Sequence, residues 1–275
     1  MARIGRNRIV LILAAAGAAV VASTAAASSS AITPPPAIKS AGKLVYCSDV
    51  TYPPEEFFQG SKAVGSDVDI AAAIAKLMGV TSQIKNTTFD SIIPALLAKR
   101  CDSIISGMND TPARRKQVDF VDYLKVGQSL MVKKGNPEHI TTLASLSGKR
   151  VSVESGTTNR DFLAAQSKVL VAKGKKAITI VTFPKDTDAA AALKASRVDA
   201  YFGDSPVAVY YVKQDTSFQI GGQPINPIPI GLAIRKGDPL RAATQKAIAA
   251  LYANGTMKKI VAKWGMTSAV TLLKK

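Results

Sequence analysis

Two cysteines and one histidine are all that this 275-residue chain holds of the side chains that most often ligate metals or drive nucleophilic catalysis. So few exclude a disulfide-dense scaffold and a thiolate metal cluster. The lone His139 follows Gly135-Asn136-Pro137-Glu138, a loop that reads as surface. A Ser–His–Asp set and a Cys–His pair fall away with it, and no glycine-rich phosphate loop is present. No catalytic residue, metal site or cofactor is expected.

Long apolar runs are scarce as well. Residues 9–21 form one that is too short and too alanine-rich for a confident spanning helix. Arg3, Arg6 and Arg8 precede it, and small residues follow, with Ala25-x-Ala27 as a cleavage site. That is the pattern of a secretory signal peptide over residues 1–27, with an uncleaved anchor as the weaker reading. No cysteine follows the run, so lipid attachment is unsupported. Residues 28–41, with Pro34-Pro35-Pro36, read as a disordered linker.

Acidic residues number 19 against 36 lysines and arginines, a formal net charge of +17 that becomes +14 when the leader's three arginines are subtracted. A basic chain can serve nucleic acid or an anionic surface. Here the basic residues are scattered, without a stripe interleaved with aromatics, so a solvated surface and no nucleic-acid partner are expected. Export permits a disulfide. Yet Cys47 ends one expected strand and Cys101 precedes another. Straight parallel neighbours would hold the sulfurs about 13 Å apart, four residues at about 3.3 Å each, beyond bridging range. Two free, half-buried thiols are expected.

What the chain does have is a segment that occurs nearly twice. Residues 95–112 read ALLAKRCDSIISGMNDTP and residues 190–206 read AAALKASRVDAYFGDSP. Each runs from an apolar helix through Arg-x-Asp (Arg100/Asp102, Arg197/Asp199) and a short strand into a polar turn closed by Thr-Pro or Ser-Pro. Open α/β sheets bind ligands at such strand ends. Two of them imply two lobes facing one cleft, and capture of a small polar molecule.

The surrounding pattern agrees. A strand at 43–47, a helix capped by Asp67 and Asp69 and stopped by Gly79, a strand at 81–85, a helix from Ser91 and a strand at 102–106 alternate as β-α-β-α-β, which implies parallel pairing. The pattern restarts at 149–153 and runs through strands at 177–182 and 198–203 and helices between them. After a strand at 230–235, helices over 240–252 and 256–264 lack strands of their own. The economical solution folds the C-terminus onto the first lobe, so that the chain crosses between lobes near 126–129 and again near 226–230. That gives lobe 1 as residues 42–127 plus 228–275 and lobe 2 as 128–227, joined by a two-strand hinge.

At these residues the chain resembles the polar amino-acid family of bacterial extracytoplasmic solute-binding proteins, which feed ABC importers. The matching stretches are Tyr52-Pro53-Pro54 with Phe57, Gly65 with Asp67-Val68-Asp69-Ile70, and Phe89-Asp90-Ser91-Ile92-Ile93-Pro94. Ser106-Gly107-Met108, Thr111-Pro112 with Arg114, Gly156-Thr157-Thr158, Gly203-Asp204-Ser205-Pro206, Gly231 and Lys263-Trp264 continue the series in the family's order over residues 43–264. The resemblance implies an α/β, type II periplasmic-binding-protein fold and a binding protein, not an enzyme. It implies capture of a free polar or basic L-amino acid by lobe closure, permease subunits of an ABC importer as partners, a monomer, and a periplasmic or extracytoplasmic location. A cyclohexadienyl- or arogenate-type dehydratase on the same fold, with Glu154 or Glu55 as its acid, is one alternative, and a ligand-sensing binding protein another.

Site residues follow by the same resemblance. Arg114 would clamp the ligand carboxylate, with a Thr111 N–H and the helix opened by Thr157 and Thr158; read alone, Arg114-Arg115-Lys116 is a surface basic run. Asp204, Ser106 and Gly107 would take the ammonium. Tyr52 and Phe89 would flank the side chain, with Asp49, Glu55, Asn109, Glu154 and Asn159 around it. Asp49, Glu55 and Glu154 could form one acidic pocket end or be solvated loop acids. Glu55 departs from the family, which commonly has Phe there.

Overall fold

The computed structural model describes residues 1–2 and 32–273, of which residues 32–273 belong to one compact unit. The expected leader lies outside the described residues beyond residues 1–2. The expected linker does not stay unstructured where it is described. Pro36 opens helix α1 (Pro36–Ala41), Gly42 ends it in the left-handed conformation, and Ile38 is buried in the first core cluster. A proline at the start of a helix sacrifices no hydrogen bond, so the proline run reads as a helix start.

The chain continues through β1 (Lys43–Ser48), a small antiparallel sheet of β2 (Thr51–Tyr52), β3 (Glu56–Gln59) and β4 (Lys62–Val64), α2 (Ser66–Leu77) and β5 (Thr81–Asn86). Then come α3 (Ile92–Leu97), β6 (Ser103–Ile104), α4 (Pro112–Arg115) and the 16-residue β7 (Val118–Lys133). A second set follows: β8 (Arg150–Glu154), α5 (Thr158–Ala172), β9 (Thr179–Phe183), α6 (Asp186–Lys194), β10 (Ala200–Asp204), α7 (Ser205–Gln214) and β11 (Phe218–Ile220). The long β12 (Ile225–Arg235), α8 (Leu240–Ala253), α9 (Thr256–Lys263) and β13 (Val270–Leu272) complete it.

Strand order is β5-β1-β6-β12-β7-β10-β8-β9, with β11 and β13 also on β7. β1 pairs in parallel with β5 and β6, and β8 with β9 and β10, as β-α-β alternation requires. β7 pairs through residues 118–128 with β12 and through residues 128–131 with β10. It therefore belongs to both halves of the sheet. Breaks in the β7–β12 register lie between Ile225 and Ile228, beside the point where β7 turns from β12 to β10, and between Ile230 and Gly231.

Each half carries its own apolar core. One cluster joins Leu44, Ile70, Ile74 and Tyr123 to Leu232, Leu240 and Ile260 from the C-terminal elements. Another joins Leu130, Val151, Leu163 and Phe202. The repeated Arg-x-Asp segments do one job in both halves. The Asp102 carboxylate accepts the Val45 N–H at 2.8 Å while its own N–H donates to Val45 O; Asp199 makes the same pair of bonds with Arg150. Each aspartate thus ties the start of its strand to the neighbouring parallel strand.

The cysteines correct an expectation: Cys47 and Cys101 form a disulfide, with Cα atoms 5.7 Å apart, and both are buried. Cys47 stands opposite Ile104, three residues beyond Cys101 rather than the four of the expectation. The error lay in extending the strand back to residue 101. β6 begins only at Ser103, and ahead of it Arg100 N–H donates to Ala95 O. The chain therefore turns off the sheet, and Cys101 packs in the same cluster as Cys47, with Ile92 and Leu96.

Candidate functional site

Four strand ends converge on one place: Asp49 after β1, Ser106-Gly107 after β6, Glu154 at the end of β8 and Asp204 at the end of β10. All lie at carboxyl ends of parallel strands, where the outgoing loops of an α/β sheet leave room for a ligand. Bonds between the halves close over it. Arg114 Nη2 donates to Gly156 O at 3.2 Å, Thr158 Oγ1 donates to Asn109 Oδ1, and the Asp204 N–H donates to Tyr52 Oη at 3.2 Å. Gly156 has φ +74°, and a Cβ there would lie 2.8 Å from Asp90 Cα, so glycine permits the approach.

Arg114 stands at this junction rather than in a solvated basic run. Thr111 caps α4 and its Oγ1 accepts the Arg114 N–H at 3.2 Å. The guanidinium lies 5.2 Å from the centre of the Phe89 ring, a cation–π placement, and donates to Asn109 O at 2.9 Å. Burial lowers its pKa while the Asp204 and Asp161 charges raise it. On the opposite side Thr157 caps α5: its Oγ1 accepts the Arg160 N–H and donates to Glu154 O at 2.8 Å. Arg114 and the α5 N-terminus can together hold an anion.

Asp204 is buried, with Oδ1 accepting from Asn159 Nδ2 at 3.1 Å. Burial pushes its pKa up to about 6, opposed by hydrogen bonds from Asn159 and Tyr52 and by the Arg114 charge. Across from it, Ser106 Oγ accepts the Asp49 N–H at 2.9 Å and donates to Glu56 Oε1 at 2.7 Å. Gly107 (φ +49°) donates its N–H to Asp67 Oδ2 at 2.8 Å. A Cβ on Gly107 would sit 3.2 Å from the Tyr52 ring, which itself packs among Met131, Ala190 and Tyr201 of the second half.

Asp49, Glu55 and Glu154 are all buried rather than solvated loop acids. Asp49 accepts from Thr51 Oγ1 and the Phe89 N–H, both at 2.7 Å. Burial raises its pKa. Burial raises Glu154 well above the usual carboxylate range, helped by Asp186, Asp49 and Asp204; its Oε1 hydrogen-bonds to nothing among the described residues. Glu55 is 0% exposed, and Asp67, Asp204 and Asp186 add to burial in raising its pKa well above the usual range.

Several participants carry no motif. Gln128 donates to Asn159 Oδ1 and accepts from Asn226 Nδ2 at 3.0 Å, which joins both crossing strands to the site. Asp186 accepts from Tyr201 (2.6 Å) and Tyr211 (2.8 Å), and its N–H donates to Thr51 Oγ1 at 3.4 Å. Asp67, read as a helix cap, instead accepts from Gly107 and from Tyr123 Oη at 2.6 Å, and the N-cap of α2 is Gly65. Among the described residues, no group of three or more His, Cys, Asp or Glu is placed to hold a metal ion, and no helix is long and apolar enough to cross a membrane.

Comparison with known proteins adds the following. Residues 44–267 match the family described as bacterial extracellular solute-binding proteins, family 3. The chain is 30% identical over 232 residues to the ABC transporter arginine-binding protein 1 of Escherichia coli (strain K12), covering 82% of this chain and 91% of that protein. Among solved structures, an ancestral arginine-binding protein bound to arginine is 38% identical at a TM-score of 0.75, covering 81% of this chain and 98% of that one. An ancestral amino acid-binding protein, described as a precursor of cyclohexadienyl dehydratase, is 34% identical at a TM-score of 0.76, covering 83% and 97%.

Proposed function

Since the chain belongs to the bacterial extracellular solute-binding proteins of family 3 and has their type II periplasmic-binding-protein fold, we propose that it captures a basic L-amino acid and delivers it to the permease subunits of an ABC importer. The protein acts as an extracytoplasmic monomer and as a binder without turnover. Residues 128–227 close as lobe 2 against residues 42–127 plus 228–275.

The observation that carries this reading is the charge balance of the closed site. Asp49, Glu154, Asp186 and Asp204 are buried there, and the cations that bear on them are Arg114, acting on Asp204, and Lys185, acting on Asp49. An α-carboxylate on Arg114, Thr111, Thr157 and Thr158 adds one negative charge. An α-ammonium on Asp204, Ser106 and Gly107 offsets it. A second cation on the ligand, between Tyr52 and Phe89 and reaching Asp49, Glu154, Asn109 and Asn159, offsets part of the remaining negative charge and favours ionisation of acids that burial holds toward the protonated form. A buried charge without an opposite partner is costly, so a cationic side chain binds better than a neutral one. Because the two lobes supply different contacts, the ligand favours the closed state.

Calorimetry against the standard amino acids tests this directly. Arginine, lysine, ornithine or histidine should bind most tightly, and Arg114→Ala should weaken binding at least a hundredfold, the loss of a bidentate charged contact. Absence of saturable binding to any amino acid, or an unaffected Arg114→Ala variant, would sink the proposal. Turnover of cyclohexadienyl acids, lost in Glu154→Gln, would move the chain to the dehydratases; a relative described as an amino acid-binding precursor does not favour that.

A further inference from the structure

We propose that Glu56 is a positioning residue of the ammonium subsite: by taking the Ser106 proton, it turns the Ser106 hydroxyl into an acceptor facing the ligand. The inference rests on the amino-acid reading above and concerns a residue with no contact to the ligand. A serine hydroxyl has one proton and two acceptor positions, and its rotor settles where the proton finds the best acceptor. At Ser106 one acceptor position takes the Asp49 N–H at 2.9 Å, and the proton goes to Glu56 Oε1 at 2.7 Å. One lone pair is left over. An ammonium is a donor only, so a hydroxyl that turned its proton toward it would replace attraction with repulsion.

The neighbouring backbone is handled the same way. Gly107 gives its N–H to Asp67 Oδ2 at 2.8 Å, which removes the second donor of this strand end. The acid pair behind the subsite is itself fixed. Glu56 and Asp67 are both 0% exposed, Tyr123 Oη donates to Asp67 Oδ2 at 2.6 Å, and Glu55 adjoins them. Three buried carboxyl groups with no lysine or arginine among their hydrogen-bond partners in the described residues are expensive to keep. Holding both donors away from the ammonium subsite is a use that matches the cost.

A double-mutant cycle tests the idea, since residues acting through one group are non-additive. Glu56→Leu should weaken binding of the best amino acid about tenfold, the size of a hydrogen bond to a charged group. In a Ser106→Ala background, where no hydroxyl remains to be turned, the same change should cost less than about twofold. Glu56→Gln, whose amide oxygen can still accept the Ser106 proton, should stay within about threefold of the parent. Equal losses from Glu56→Leu in both backgrounds, or a Gln variant as weak as the Leu variant, would overturn the proposal. If Glu56→Leu fails to fold, the Gln variant and the Ser106→Ala,Glu56→Gln pair decide, because a requirement for charge rather than an acceptor would show as a large loss in both. A parent protein that binds no amino acid would defeat the functional reading before this one, and calorimetry on the parent separates the two failures.

Discussion

Replacing Glu55 with leucine should stabilise the protein, by a margin that grows with pH. Glu55 is 0% exposed, and among the described residues neither carboxyl oxygen hydrogen-bonds to another residue, its own backbone N–H offering only a local contact. The charges bearing most on it, Asp67, Asp204 and Asp186, all share its sign. An unpartnered buried polar group costs about 1–3 kcal/mol, and a leucine of similar size regains apolar contact. A gain of about 2 kcal/mol is therefore expected where Glu55 is protonated. For a chain of this size that raises Tm by about 4–8 °C. The pH dependence has a definite sign. Burial raises the folded pKa of Glu55 well above the usual value, whereas an unfolded glutamate titrates near about 4.3. Unfolding therefore releases a proton at any pH between the two values. Below the unfolded pKa the titration of Glu55 adds nothing to that cost; above it, up to the folded pKa, stability falls by about a further 1.4 kcal/mol per pH unit. Leucine removes that loss. Scanning calorimetry of ligand-free parent and variant at pH 5, 6, 7 and 8 measures both quantities. A variant less stable than the parent at pH 8, or an advantage constant across the series, would refute the reasoning.

Two further outcomes are expected. The ammonium needs Asp204 ionised, and its pKa lies at about 6; the dissociation constant should therefore rise about tenfold per pH unit below that value and level off above it, in calorimetric titrations from pH 4.5 to 8. A constant affinity across that range would remove Asp204 from the subsite. The Cys47–Cys101 bond spans a separation of 54 residues, which in the chain-entropy account contributes about 4 kcal/mol. A Cys47→Ala,Cys101→Ala variant should accordingly denature at lower urea concentration, with a slope somewhat steeper than the parent's because the unfolded chain without the bond exposes more surface. An unchanged midpoint would show that the loop is held as well without it.

Most of the fold was legible because its signals are local and repeated. The Arg-x-Asp segments lie where two equivalent strand starts are tied, and the helices from Ser205 and Leu240 follow their apolar spacing. What escaped were features set by distant partners. Strands of two to four residues, such as Thr51–Tyr52 and Lys62–Val64, are too short to show a period. Asp67 looked like a cap because acids are common in first turns, yet its partners lie 40 and 56 residues away. Gln128 and Asn226 meet only because two strands cross. Arg114 was legible through family likeness alone, for its immediate neighbours are Ala113 and Arg115 and nothing local separates it from a solvated run.

The double crossing of β7 and β12 also sets an order of assembly. The core of the second half draws mainly on residues 130–225, a nearly continuous stretch that can pack as soon as it is available. The first half waits. Its largest cluster needs Ile230, Leu232, Leu240, Ile248 and Ile260 from the far end of the chain, so Leu44, Ile70 and Tyr123 keep apolar surface uncovered until the last helices arrive. A chain delivered from its N-terminus onward would therefore finish its middle before its beginning. The interval between the two is when it is most exposed to aggregation, and truncation within α8 or α9 should harm the half that was made first.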